Sequence, residues 1–336
     1  MLPPNLNVFR IAALLVVAGS FSACATHDGV VAADLEPGRL PAPNTTLAIA
    51  GLGPCTDNPD RSWRLDAAQP VHVLVHGCFG SSGQFRALAQ VLAFHGQQSA
   101  CFTYDDRARL DDSAAELRRA LGQLAAASSV PQITVIGHSQ GALVARGALT
   151  DVPLPVALPK PELDLRLVTV SGPFSGIAAA RTCGRQWLYP LSLGLLPLSC
   201  YAFTGPKWAD ITESSPFIAE PGPLAQQVRG HLKIDTDERG TCRRDEAERC
   251  VASDDIFSLD EQRHAPVEAD SRVKRLQINA GHVEIVGDKR VAPTKLIAAL
   301  QQEGVLRPTA PERLSALGVL MMQLYGNVGG EPAPAR

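Results

Sequence analysis

The stretch Gly137-His138-Ser139-Gln140-Gly141 constrains the fold of this chain more than any other, because the apolar run 132–136 precedes it and the helix-compatible run 142–146 follows. Such a junction reads as strand, sharp turn and helix. Glycines two positions either side of Ser139 let the strand and helix pass closely while the hydroxyl projects outward. Ser139 is therefore the candidate nucleophile. The competing reading is a glycine-flanked turn without chemistry, and the presence of both flanks weighs against it.

Short apolar runs at 71–75, 100–104, 165–170, 232–234 and 273–278 alternate with helical patterns at 85–92, 114–124 and 293–300. Strands separated by helices predict an α/β domain, here 45–304, whose mostly parallel sheet carries helices on both faces. Two stretches break the rhythm. Residues 175–230 hold Trp187, Tyr189, the apolar run 191–198 and Trp208; the expectation is a cap or lid over the strand ends, with a plain structural insertion as the alternative. The C-terminal extension 305–336 contains Leu314, Leu317, Leu320, Met321 and Leu324 at helical spacing, which predicts one helix docked on the body rather than on lipid.

At the N-terminus, Arg10 precedes the apolar run 11–18 and then small residues. This reads as a signal peptide over 1–23, too short to span a membrane, and implies export. Phe21-Ser22-Ala23-Cys24 is similar to a bacterial lipoprotein processing box, in which Cys24 becomes the lipidated first residue and 24–44, rich in Pro, Ala and Gly from about Val30, a tether. Ala23-Cys24-Ala25 also fits ordinary cleavage after Ala25. The expected location is thus the cell envelope, as an outer-membrane lipoprotein, or the periplasm or medium.

Eight cysteines in an exported chain should mostly pair. Cys242/Cys250, Cys183/Cys200 and Cys55/Cys101 are the expected bridges. Cys24 and Cys78 remain, one for lipid and one as a thiol, unless they also pair. A net charge of -3 with Lys and Arg scattered among acids gives no basic stripe, which argues against nucleic acid as a partner.

A serine nucleophile needs a base and oxyanion donors. His282 follows the strand 273–278 in the turn Asn279-Ala280-Gly281-His282, which puts it at the carboxyl edge of the sheet where Ser139 also emerges. It is last in the chain order serine, acid, histidine. The acid belongs after the run 232–234, where Asp235, Asp237, Asp254, Asp255 and Asp260 are the candidates. If the loop 242–250 is an insertion, Asp254 is next in line. The backbone N–H groups of Gln140 and of Cys78, in the loop His76-Gly77-Cys78-Phe79-Gly80, are the candidate oxyanion donors. His76 and His138 are expected to orient turns rather than catalyse.

These residues resemble the α/β-hydrolase superfamily, and within it the secreted bacterial lipases and esterases. The resemblance covers about 65–300 and rests on His76-Gly77, the elbow 137–141, the turn Ser171-Gly172-Pro173-Phe174-Ser175-Gly176 and Gly281-His282. It implies an α/β-hydrolase fold and cleavage of an ester or acyl-lipid by a Ser139-His282-Asp254 triad, with no metal or organic cofactor. Asp254 is favoured because Asp254-Asp255-Ile256-Phe257 looks like the acid motif of compact bacterial lipases. The chain departs from the family pattern in lacking a histidine in the 171–176 turn and in carrying a cysteine-closed insertion. Amidase, thioesterase or acyltransferase chemistry on the same fold, or a non-catalytic envelope lipoprotein, are the alternatives.

Overall fold

The computed structural model describes residues 40, 42–151, 158, 162–184, 192, 195–246, 249–288 and 291–326. The expected signal peptide, Cys24, most of the tether, and Trp187 and Tyr189 lie outside the described residues.

The strands are β1 (Thr45–Leu47), β2 (Leu52–Gly53), β3 (Trp63–Leu65), β4 (Val71–Val75), β5 (Gln98–Phe102), β6 (Gln132–His138), β7 (Asp164–Val170), β8 (Val228–Asp237), β9 (Cys242–Glu246), β10 (Arg249–Ser253) and β11 (Val273–Asn279). Seven of them form the main sheet in the order β11-β8-β7-β6-β4-β5-β2. All neighbours in it are parallel except β2, which runs antiparallel to β5 at the edge. The longer helices are α1 (Arg86–Phe94), α2 (Leu110–Ala127), α3 (Gln140–Ala148), α4 (Leu195–Thr204), α5 (Thr294–Gln302) and α6 (Leu314–Tyr325). This is the α/β-hydrolase fold that the sequence led us to expect.

Alternation along the strands feeds two cores, one on each face. Val71, Val73 and Val75 of β4 and Ile133 and Val135 of β6 pack with Leu117 and Leu121 of α2 and Val144 of α3. Leu74, Ile136 and Val168 point the other way, toward Leu88 and Leu92 of α1, Leu296 and Leu300 of α5, and Leu320 and Leu324 of α6. The C-terminal helix therefore docks on the body through the stripe that its spacing displays, while Leu314 at its start stays exposed.

The three expected disulfides are present: Cys55–Cys101, Cys183–Cys200 and Cys242–Cys250. They fit an extracytoplasmic chain. Cys55–Cys101 ties the loop after β2 to β5 across 46 residues of sequence, a loop whose closure contributes about 4 kcal/mol in the chain-entropy account. No helix among the described residues is long and apolar enough to cross a membrane.

Two details differ from expectation. Strand β8 runs to Asp237 rather than ending at 234, because it pairs along its whole later length with β11, from His231↔Val273 to Asp237↔Asn279. The region 242–250, read as a loop, holds the paired strands β9 and β10, which the Cys242–Cys250 disulfide joins.

Register aligns the carboxyl ends. Val75 of β4 lies opposite Gly137 of β6, and His138 lies opposite Val170 of β7. At this edge α3 passes so close to the end of β4 that a Cβ on Gly141 would stand 2.3 Å from Val75 O and 2.4 Å from His76 O. Both obstacles are backbone and cannot swing away. Gly141→Ala should therefore lose about 3 kcal/mol or more of unfolding free energy, or fail to fold. Gly230→Ala, where a Cβ meets nothing within 4 Å, should stay within about 1 kcal/mol of the parent in the same urea or thermal melts.

Candidate active site

Ser139 sits between β6 and α3 with φ 56° and ψ -128°, a left-handed conformation costly for any side chain but glycine. Its N–H donates to Val170 O (2.9 Å) and its carbonyl accepts from Ala142 N (3.0 Å), so strand and helix hold the turn from both sides. The loop after β4 lies directly against it, since a Cβ on Gly77 would be 2.8 Å from Ser139 Cβ. Cys78 follows at once. Cys78, Ser139, Gln140 and His282 all line one cavity of about 510 Å³, a size that suits a small ligand.

His282 emerges after β11. Its Nδ1 is 2.9 Å from Glu238 Oε1, and as Glu238 is the first residue beyond β8 the register Asp237↔Asn279 brings the two together. The Glu238 side chain is wholly buried. It accepts four hydrogen bonds: Oε1 from His282 Nδ1 and Thr236 Oγ1 (2.8 Å), Oε2 from the N–H groups of Ile256 (2.7 Å) and Phe257 (2.8 Å). Thr236 Oγ1 in turn meets Ser171 Oγ at 2.6 Å, so the 171–176 turn supports the acid through a hydroxyl chain. Phe257 packs edge-on against the His282 ring with centroids 4.7 Å apart.

The expected acid, Asp254, does not face the ring. Its backbone oxygen accepts from His282 N (2.9 Å), Oδ1 from Val283 N (3.0 Å), and Oδ2 from Val283 N (3.1 Å) and Glu284 N (3.0 Å). A Cβ on Gly281 would stand 2.1 Å from Oδ2. Asp254 therefore braces the loop that carries His282, and Glu238 occupies the place given to it. Burial raises the Asp254 carboxyl above its ordinary value, and the Glu284 and Val283 N–H groups pull it partly back.

The other aspartates have other partners. Asp235 is buried against Lys233 and Arg275, and Asp237 pairs with Arg239 at 2.5 Å. Asp255 is exposed at the cavity, and Asp260 lies in the first turn of a short helix. The aspartate pattern gives no sign of the Glu238–His282 contact; its signal is a glutamate immediately beyond a strand that runs to Asp237.

His76 and His138 orient turns, as expected. His76 Nδ1 meets Gly77 O at 2.9 Å and its ring stacks on Tyr104; burial holds its pKa below the ordinary value. His138 Nε2 donates to His282 O at 2.9 Å. The segment after β7 lines part of the cavity, to which it contributes Ile177, Ala180, Trp208 and Ile211. It is pinned to the body by Asp210, which accepts from Arg109 Nη2 (2.6 Å) and Leu110 N (2.9 Å) at the start of α2.

A carboxylate on Nδ1 fixes the imidazole tautomer that leaves Nε2 as base, and N–H groups beside a hydroxyl can hold a developing oxyanion. Glu238→Gln should lower kcat by about 10³–10⁴, the precedent for such a tautomer change. Asp254→Asn, in contrast, should show its effect in thermal melts, with about 1.5–3 kcal/mol of stability lost as a charged acceptor goes. Steady-state kinetics on both variants separates the roles.

A family model described as alpha/beta hydrolase matches residues 90–158, the stretch holding β5, β6, the elbow and α3. A search among curated protein sequences found no match. Among solved structures, a Bacillus licheniformis lipase in its propeptide form is similar at TM-score 0.51 and 14% identity over 80% of this chain and 55% of that one. A Pyrococcus furiosus esterase (TM-score 0.42, 18% identity, 90% of this chain and all of that one) and an inhibited Lactobacillus rhamnosis esterase B (0.47, 11%, 94% and 96%) are also similar.

Proposed function

We propose, from the premise that the chain belongs to the α/β-hydrolase superfamily, that it is an exported serine hydrolase cleaving carboxylic esters through an acyl-enzyme. The observation that carries this reading is the buried Glu238–His282 pair, whose histidine lines the same cavity as the strained Ser139 elbow. Ser139 Oγ attacks the acyl carbonyl as His282 Nε2 takes its proton. The tetrahedral oxyanion is held by the N–H groups of Cys78 and Gln140. On collapse the C–O bond breaks, and the imidazolium protonates the leaving alcohol. Water then repeats the sequence on the acyl-enzyme, releasing the carboxylic acid and restoring Ser139. Glu238 orients the ring and stabilises its charged form throughout.

The apolar wall of the cavity, with Leu143, Ile177, Trp208, Ile211 and Phe257, suits an apolar acyl group. An apolar acyl ester or acyl-lipid is the substrate class. The disulfides agree with export, and Cys24 is the residue through which the mature chain would be lipidated and held at the outer membrane.

A fluorophosphonate should label the wild-type protein at Ser139, and a panel of p-nitrophenyl esters from acetate to palmitate should be hydrolysed with a chain-length optimum. Ser139→Ala should abolish both while melting as the parent does. Turnover that survives in Ser139→Ala overturns the mechanism. Mass analysis of the mature N-terminus should find a diacylglyceryl group on Cys24; an unmodified Thr26 at the N-terminus would mean plain secretion.

A further inference from the structure

Lys207 lies in the segment after β7 that lines part of the cavity, yet its side chain is only 1% exposed. Lysine is rarely so buried without a carboxylate in direct contact. Here the nearest carboxylate oxygen is Asp106 Oδ2, 3.8 Å from Nζ. The ammonium instead donates to Gln140 Oε1 (2.8 Å) and Asp106 O (2.5 Å), stands 3.3 Å from Cys78 Sγ, and lies 5.4 Å from the centroid of the Phe79 ring. Asp106 closes the network, because its carbonyl also accepts from Gln140 Nε2 (2.9 Å) and its carboxylate from Phe79 N.

The two residues that meet at Lys207 come from separate parts of the chain. Cys78 lies in the loop after β4 and Gln140 opens α3. They share one feature in the mechanism above, since their N–H groups are its two oxyanion donors.

We propose that Lys207 is a positioning residue for the oxyanion hole, holding Cys78 and Gln140 in register from the segment after β7, so that the hole is complete only while that segment is seated. The inference rests on the ester-hydrolase reading. The role has two parts. The hydrogen bonds fix two donors on independent backbones, and misplacement of either weakens an interaction that forms only in the transition state. The fixed positive charge, in a water-poor site, favours negative charge developing beside it. Its field reaches the loop, where it lowers the His76 pKa behind the larger effects of burial, which also lowers it, and of the Gly77 carbonyl and Asp106, which raise it.

The test compares wild type with Lys207→Met, which keeps length and removes the charge, and Lys207→Arg, which keeps the charge. Three quantities are read: kcat, KM, and the Ki of an alkyl trifluoromethyl ketone, whose hemiketal carries the oxyanion that a substrate acquires only in the transition state. Lys207→Met should lose about 100-fold in kcat, the cost of one oxyanion donor, with KM changed less than about threefold. The trifluoromethyl ketone Ki should rise by the same factor as kcat/KM falls, and Lys207→Arg should recover at least tenfold of the loss. A folded Lys207→Met with wild-type kcat, or with kcat lowered and Ki unmoved, overturns the proposal. If Lys207→Met does not fold, Gln140→Ala removes the side-chain acceptor of Lys207 and keeps the Gln140 N–H; kcat and Ki must then move together by about tenfold, and wild-type values overturn the proposal. Failure of the wild type itself to react with fluorophosphonate would instead sink the ester-hydrolase reading, and this proposal with it.

Discussion

The hydrogen-bonded register of the parallel sheet is the constraint on which the site depends. Gly137 stands opposite Val75, His138 opposite Val170, Val170 opposite Ile234, and Asp237 opposite Asn279. The reversals after β4 and β6 therefore begin at nearly one level, and those after β8 and β11 begin together three residues further along. The loop after β4, the elbow and His282 come from strands scattered along the sequence, and this alignment brings them to one cavity with Glu238 buried behind the histidine. A one-residue slip of β8 would swap the faces of Lys233, Ile234 and Asp235. It would also carry Glu238 away from His282 and part Asp235 from Arg275 on β11, so the buried charges and the site oppose the same error.

Burying the Glu238 carboxylate is the main electrostatic cost at that edge. It is offset by four donors, two of them backbone N–H groups of Ile256 and Phe257. Those same residues begin two positions after Asp254, whose own carboxylate ties down Val283 and Glu284. One short segment thus connects both acids. Glu238 sets the ring of His282 and Asp254 sets its backbone, and loss of either removes a different degree of freedom from the base.

What was legible in the sequence was local. The elbow is written in five consecutive residues with a strand before and a helix after, and the two-sided burial of β4, β6 and β7 follows from their continuous apolar runs. The disulfides were legible from spacing. The acid was not, because its place depends on where β8 stops, and β8 continues three residues past its apolar core, through Asp235, Thr236 and Asp237, only because β11 pairs with it. Asp235 looks like a turn residue in sequence but is a strand residue whose charge is met by Lys233. The Asp254 motif carried a true signal of proximity to His282, with the wrong atom of the histidine attached. The edge strand β2, two residues long, has no periodicity to read.

The segment after β7 that lines the cavity is held unevenly, and this bears on how a substrate enters. Around residues 205–218 it is anchored by two buried side chains, Lys207 in the Gln140–Asp106 network and Asp210 at the start of α2. Lifting this part would leave charges buried without partners or rehydrate them together with the oxyanion loop, a change costing several kcal/mol. Helix α4 presents the opposite case. Leu195, Leu198 and Tyr201 on it are exposed, at 66%, 63% and 56%, and its ties to the body include Arg107 Nη2 to Ala202 O and the Cys183–Cys200 bridge to its own segment. Widening the mouth beside α4 therefore disturbs less than lifting the anchored part. On the proposed reading, an apolar acyl chain entering there would meet exposed apolar side chains outside and Ile177 and Ala180 within, while the contacts of Lys207 with Gln140 and Cys78 stay in place.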